Sequence, residues 1–283
     1  YFLSITLLLC LFVSCKQIDK SSVKGLITEH AMVVSARAEA SEIGSAILKK
    51  GGNAFDAMCA TQLALAVAYP FAGNIGGGGF MVYRKANGDI GSIDFREKAP
   101  LAATKNMYLD ELGEVIPNKS ILGAMAVGVP GTIAGVFEVH EKLGSLPIDD
   151  ILEPVINLAY KGVTVTKKQE QKIKKYQPLF LEANKQPIIL DTLWKTNDVI
   201  KYPELAKTLE RILKHGRDEF YKGETAKILA KFIQDNGGII TEEDLAKYKA
   251  KWRTPITFTY DDLKIISMAP PASGGICLAQ IMT

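Results

Sequence analysis

Metal ligands are scarce in this chain. Its three histidines, His30, His140 and His215, stand alone, with no cysteine, histidine or carboxylate partners at ligand spacing, so no metal site or cofactor is expected. Cysteine is nearly as rare. Cys10, Cys15, Cys59 and Cys277 form no paired spacing pattern, which argues against a disulfide-stapled scaffold. Neither sign of charge dominates, because 34 basic and 31 acidic residues leave a net charge of +3. Nucleic acid is therefore not an expected partner. The lysines at 167–168 and 172–175 alternate with Gln and Glu without interleaved aromatics, and read as a solvated helix face. Internal repeats and low-complexity linkers are also missing.

At 283 residues and 47% apolar content the chain can bury a substantial core, as one large domain or two smaller ones. Leu3 to Ser14 is almost wholly apolar, yet at about a dozen residues it is short of the ~20 that span a bilayer and fits a secretory signal segment. It ends in Leu11-Phe12-Val13-Ser14-Cys15, which resembles a bacterial lipobox. A buried strand is the competing reading of this run. On the lipobox reading residues 1–15 are a lipoprotein signal and Cys15 carries lipid. Residues 16–29 then form a tether, and the protein sits in the bacterial envelope or periplasm. Cys59 and Cys277 lie in apolar surroundings and are expected to be small buried hydrophobes.

Local patterns place elements along residues 30–283. Met32-Val33-Val34 suggests a first strand, and Ala38 to Lys50 a helix stopped by Gly51. Ala54 to Tyr69 is apolar on nearly all faces, as a fully buried helix ending at Pro70 would be. Strands at Phe80–Arg84 and Ile90–Phe95 flank Asn87-Gly88, a strong hairpin signal. Helical periodicity returns at Thr132–Leu143, Ile151–Lys161, Leu205–His215 and Glu224–Gln234. Thr241 to Asp244 forms a capping box before a short helix, and Ile256–Tyr260 and Leu263–Met268 alternate as strands. Helices with hairpins at both ends indicate a layered α/β fold.

Asn74-Ile75-Gly76-Gly77-Gly78-Gly79-Phe80-Met81 is the most informative stretch, with Asp94-Phe95-Arg96-Glu97-Lys98-Ala99-Pro100 following it. Four consecutive glycines cost much backbone entropy and make sense where backbone passes very close to something or adopts positive φ. The run lacks a Gly-Lys-Ser/Thr ending and leads from helix to strand, the reverse of a phosphate cradle. Ser273 lacks a Gly-x-Ser-x-Gly setting, and Pro270-Pro271 before it indicates a turn. Arg96 offers a planar fork that can hold a small carboxylate through two hydrogen bonds. The plainer alternative is a structural ion pair with Asp94 or Glu97.

These segments, with Pro270-Pro271-Ala272-Ser273-Gly274-Gly275, resemble the large-subunit part of the γ-glutamyltransferases, also called glutathione hydrolases. Further matches are Gly51 to Ala57, Gly128-Val129-Pro130-Gly131-Thr132, Asp218 to Gly223 and Gly237 to Leu245. Ala272 departs from the pattern, where members often carry serine. The resemblance implies the αββα sandwich of N-terminal nucleophile hydrolases, of which this chain supplies only the large-subunit portion. It also implies that Arg96 grips the α-carboxylate of a γ-glutamyl substrate such as glutathione, with water or an amino acid as acceptor. The nucleophile in the family is a threonine freed by self-cleavage at the start of a small subunit. It is expected beyond residue 283, so the catalytic residue lies outside this chain, and residues 1–283 alone are expected to be inactive. Two other functions remain open: a cephalosporin or glutaryl acylase of the same fold, and a non-catalytic envelope protein binding γ-glutamyl compounds. The Asp-x-Arg-Glu-x-Ala-Pro pattern favours glutamyl chemistry.

Overall fold

The structure, a computed structural model, describes residues 25, 27–184 and 186–282. Cys15 and the segment expected to be a lipoprotein signal, residues 1–15, lie outside the described residues. The chain divides into two compact units, Tyr1–Met32 and Val33–Thr283, and all described helices and strands belong to the second.

Two helices open that unit, α1 (Ala38–Lys49) and α2 (Ala54–Ala68). The turn between them uses Gly51 at φ +98°, and the side chain of Asn53 caps α2 through the N–H groups of Phe55 and Asp56. Asp56 answers by accepting from the Asn53 N–H at 2.9 Å, closing a capping box. Because α2 is apolar on every side it sits at the centre, packed against α1, α3 (Thr132–Leu143) and α4 (Ile148–Lys161). Leu63, Ala64 and Val67 of α2 are fully buried beside Ile133, Val136 and Ile151.

Strands β1 (Phe80–Arg84) and β2 (Ile90–Asp94) form the expected hairpin, with Gly88 at φ +94° in its turn. A short third strand, β5 (Lys251–Arg253), adds antiparallel to β2 with Ser92 opposite Arg253. Two further pairs stand apart from this sheet. β3 (Val163–Thr164) pairs with β4 (Val199–Ile200), and β6 (Ile256–Tyr260) with β7 (Leu263–Ser267). Between them run α5 (Lys167–Ala183), α6 (Pro203–His215), α7 (Arg217–Lys222), α8 (Glu224–Asp235) and α9 (Glu242–Ala246). A last helix, α10 (Gly274–Met282), packs on β6 and β7.

Two expectations are corrected. Residues 31–35 form no strand: Met32 and Val34 are exposed and no strand lies beside them among the described residues. Cys277 is exposed, because α10 meets β7 through the buried Gly275 and leaves Ile276, Leu278 and Ile281 uncovered within the described chain. Cys59 is buried as expected, and burial pushes its thiol pKa far up, which keeps it protonated.

Candidate active site around Arg96

The end of β2 is clamped from several sides. Phe95 and Gly79 exchange backbone hydrogen bonds at 3.0 and 3.3 Å, carrying the β1–β2 pairing one step beyond the strand ends. None of the four loop glycines has positive φ, so conformation does not explain them. Close approach explains Gly78 and Gly79. A Cβ on Gly78 would lie 2.6 Å from the Phe95 carbonyl oxygen, 2.8 Å from the Glu97 nitrogen and 2.9 Å from Arg96 Cα, all of them backbone. The Gly77 carbonyl accepts from the N–H groups of Gly131 and Thr132 at 2.7 and 3.0 Å, which ties the glycine loop to the start of α3. Gly131 and Gly135 in turn leave room for Phe95 and Tyr248.

The motifs scattered through the sequence meet behind this turn. Tyr221 of α7 donates to the Pro130 carbonyl at 3.0 Å and accepts from the Ala134 N–H at 3.1 Å. Its ring stacks on Tyr248, with centroids 5.6 Å apart and planes at 14°. Tyr248 donates its hydroxyl to the Arg96 carbonyl at 2.7 Å. Asp244 of α9 accepts from the Leu101 N–H at 2.6 Å, and Lys98 and Val129 bond to each other through their backbones. The Pro270–Gly275 segment instead joins β7 to α10.

The electrostatics separate two arginines. Asp94, nearly buried, accepts from Nε and Nη2 of Arg253 at 2.9 and 2.7 Å through one carboxylate oxygen. Its other oxygen accepts the backbone N–H of Arg96 at 3.0 Å. The carboxylate is thus engaged by Arg253 from β5, not by the Arg96 side chain. Arg96 keeps a 60% exposed side chain, 3.8 Å from Glu97 and with Cζ 5.8 Å from the Phe80 ring centre. An exposed pair at that distance is weak. Burial, helped by Lys251 and Arg253, lowers the pKa of Lys98, whose ammonium donates to the Lys249 carbonyl and lies over the Tyr248 ring. Burial, with Tyr221, Asp94 and Glu97 nearby, raises that of Tyr248, so its hydroxyl stays a donor at neutral pH.

Sequence reasoning missed Tyr248, Arg253 and Tyr221 as parts of this site. Tyr221 lay inside a quoted motif without a role, and the other two carry no local signal. Among the described residues no three His, Cys, Asp or Glu side chains gather as a metal site. His140 is occupied by the Leu146 carbonyl at 2.8 Å, and His215 lies in the last turn of α6.

Solved structures share this fold. The chain is similar to the γ-glutamyltranspeptidase of Helicobacter pylori, with a TM-score of 0.87 and 44% identity over 91% of this chain and 75% of that one. A cephalosporin acylase from Bacillus halodurans is more distant, with a TM-score of 0.75 and 26% identity over 91% of this chain and 50% of that one. The fold is the α/β fold of N-terminal nucleophile hydrolases. Residues 40–283 match the gamma-glutamyltranspeptidase family, and the chain belongs to it. Curated relatives agree. The glutathione hydrolase proenzyme of Escherichia coli K12 is 43% identical over 260 residues, 90% of this chain and 44% of the relative. That of Pseudomonas aeruginosa is 46% identical over 241 residues, 85% and 43%. The chain therefore spans less than half the length of these relatives.

Proposed function

We propose that this chain is the large-subunit portion of an enzyme that hydrolyses glutathione and other γ-glutamyl amides or transfers their γ-glutamyl group. The observation that carries the reading is the exposed Arg96 guanidinium at the end of β2, held only by a weak 3.8 Å pair with Glu97 while Arg253 takes Asp94. Arg96 holds the α-carboxylate of the glutamyl group and so sets its γ-carbonyl at a fixed place. A threonine encoded beyond residue 283, first residue of a small subunit cut from the same precursor, attacks that carbonyl. Its own α-amine takes the hydroxyl proton and passes it to the departing amine. The resulting acyl-enzyme yields the glutamyl group to water or an amino acid. Neither step calls for a cofactor. The higher identity of the γ-glutamyl relatives, 44% against 26% for the acylase, favours this substrate over acylase chemistry.

In the same proposal Cys15, at the end of the lipobox-like Leu11-Phe12-Val13-Ser14-Cys15, is lipidated and anchors the protein in the bacterial envelope. The test is to express the complete reading frame beside residues 1–283 and assay release of p-nitroaniline from a γ-glutamyl anilide. The full-length protein is expected to split into two subunits and release the dye, and the shorter chain to do neither. A full-length protein that stays uncut and inactive, yet binds glutathione, would make it a binding protein instead.

A further inference from the structure

We infer that Tyr248 is a positioning residue for carboxylate recognition, acting through the main chain of Arg96. This rests on the proposed role of Arg96 and extends it to a residue 152 positions away in the chain. Only the 3.8 Å approach to Glu97 and the Phe80 ring, 5.8 Å from Cζ, flank the exposed Arg96 side chain, so the placement of its guanidinium depends largely on where its backbone is held. That backbone is gripped at three points. Asp94 accepts its N–H at 3.0 Å, the Gly78 backbone runs so close that a Cβ there would lie 2.9 Å from its Cα, and Tyr248 donates to its carbonyl at 2.7 Å. The first two belong to the local β1–β2 hairpin and would move with it. Tyr248 ties Arg96, through its stack on Tyr221, to α7.

Tyr248 is built to stay put. It is 2% exposed and stacked on Tyr221, with Lys98 Nζ 4.6 Å from its ring centre and Arg217 4.3 Å from that of Tyr221. Arg217 also donates to the Tyr248 carbonyl at 2.6 Å, and Tyr221 is bonded to the start of α3. Gly131 leaves space for the Tyr248 hydroxyl, which a side chain at that position would occupy. Loss of the hydroxyl leaves the ring stack intact but frees the carbonyl side of Arg96.

The experiment compares Tyr248→Phe, Arg96→Lys and the double variant in the full-length, self-cleaved protein, with a γ-glutamyl anilide as substrate. Tyr160→Phe, which loses an exposed hydroxyl bonded to Glu210 outside this site, is the control. Tyr248→Phe is expected to raise KM about three- to tenfold, the value of one hydrogen bond, with kcat held within about twofold. In the Arg96→Lys background the same change should cost less than about twofold, because there is no fork left to position. Tyr160→Phe should leave KM near normal. Equal effects of Tyr248→Phe in both backgrounds, or no effect in either, would overturn the inference while leaving Arg96 in place. So would a Tyr248→Phe protein that fails to mature, since the residue would then serve the fold at large. If Arg96→Lys itself leaves KM unchanged, the carboxylate role of Arg96 fails instead.

Discussion

The two arginines beside Asp94 should respond in opposite ways to the same conservative change. Lysine keeps the charge of arginine but replaces the planar fork with a single point. At position 96 the structure shows little to lose in the fold, since the side chain is 60% exposed and its ion-pair distance to Glu97 is 3.8 Å. Arg96→Lys should therefore change stability by less than about 0.5 kcal/mol, a Tm shift of about 1–2 °C at this chain length. Substrate binding is another matter. One charge-assisted hydrogen bond to the α-carboxylate lost is worth about 1.5–3 kcal/mol, or roughly ten- to 150-fold in kcat/KM. At position 253 both contacts, 2.9 and 2.7 Å, go to a nearly buried carboxylate. Arg253→Lys retains one of them at best, and should cost about 1–2 kcal/mol, or about 2–8 °C in Tm.

The assay is a pair of measurements on each self-cleaved variant: kcat/KM on a γ-glutamyl anilide and Tm by calorimetry. Subunit processing should survive Arg96→Lys, because self-cleavage requires the threonine and not a bound glutamate. An Arg96→Lys protein with normal kinetics and a lowered Tm would refute the reasoning and make Arg96 a structural residue.

The glycine loop should tolerate a methyl group at one position and not at another. At Gly76 the nearest atom to an added Cβ is Asn74 Oδ1 at 3.5 Å, so Gly76→Ala should be nearly neutral. Gly78→Ala meets only backbone and should lower Tm and kcat/KM together, by about 2–3 kcal/mol in stability, measurable by urea unfolding. Asp56 links the α2 cap to the N–H and hydroxyl of Ser145. Burial raises its pKa, but the hydrogen bonds from Ser145, Asn53 and Leu146 outweigh this and hold it below the ordinary value. Its contribution is complete above the unfolded value near ~4 and is lost as pH falls through the folded one, so Asp56→Asn should flatten the acid limb of a stability–pH curve. Unchanged slope below about pH 4 would remove Asp56 from that account. If Cys15 is lipidated, a palmitate analogue should label the full-length protein and Cys15→Ala should abolish the label.

What was legible in the sequence was what is decided locally. The all-round apolar α2, the Asn87-Gly88 hairpin and the Thr241–Asp244 capping box depend on residues within a few positions, and the structure forms each of them. Helix α5 also had a local signal, since Thr166 and Gln169 close a capping box, but a lysine-rich run hid its extent to Ala183. The false strand at Met32–Val34 is the opposite error, because β-branched residues favour a strand only where a neighbour exists to pair with.

The site itself was only half legible, for a physical reason. An arginine between two acids faces a competition for partners, and local sequence cannot say which partner wins. Here the competitor for Asp94 arrives from β5, 159 residues away, and engages the carboxylate with two hydrogen bonds. That pairing depends on β5 adding to β2 in a register that sets Arg253 opposite Ser92, two residues from Asp94. A slip of one residue would turn Arg253 to the other face of the sheet, leaving Asp94 free to draw in the Arg96 guanidinium. The exposed fork at Arg96 is thus a property of the sheet, made by a strand that contributes no group to the proposed carboxylate contact.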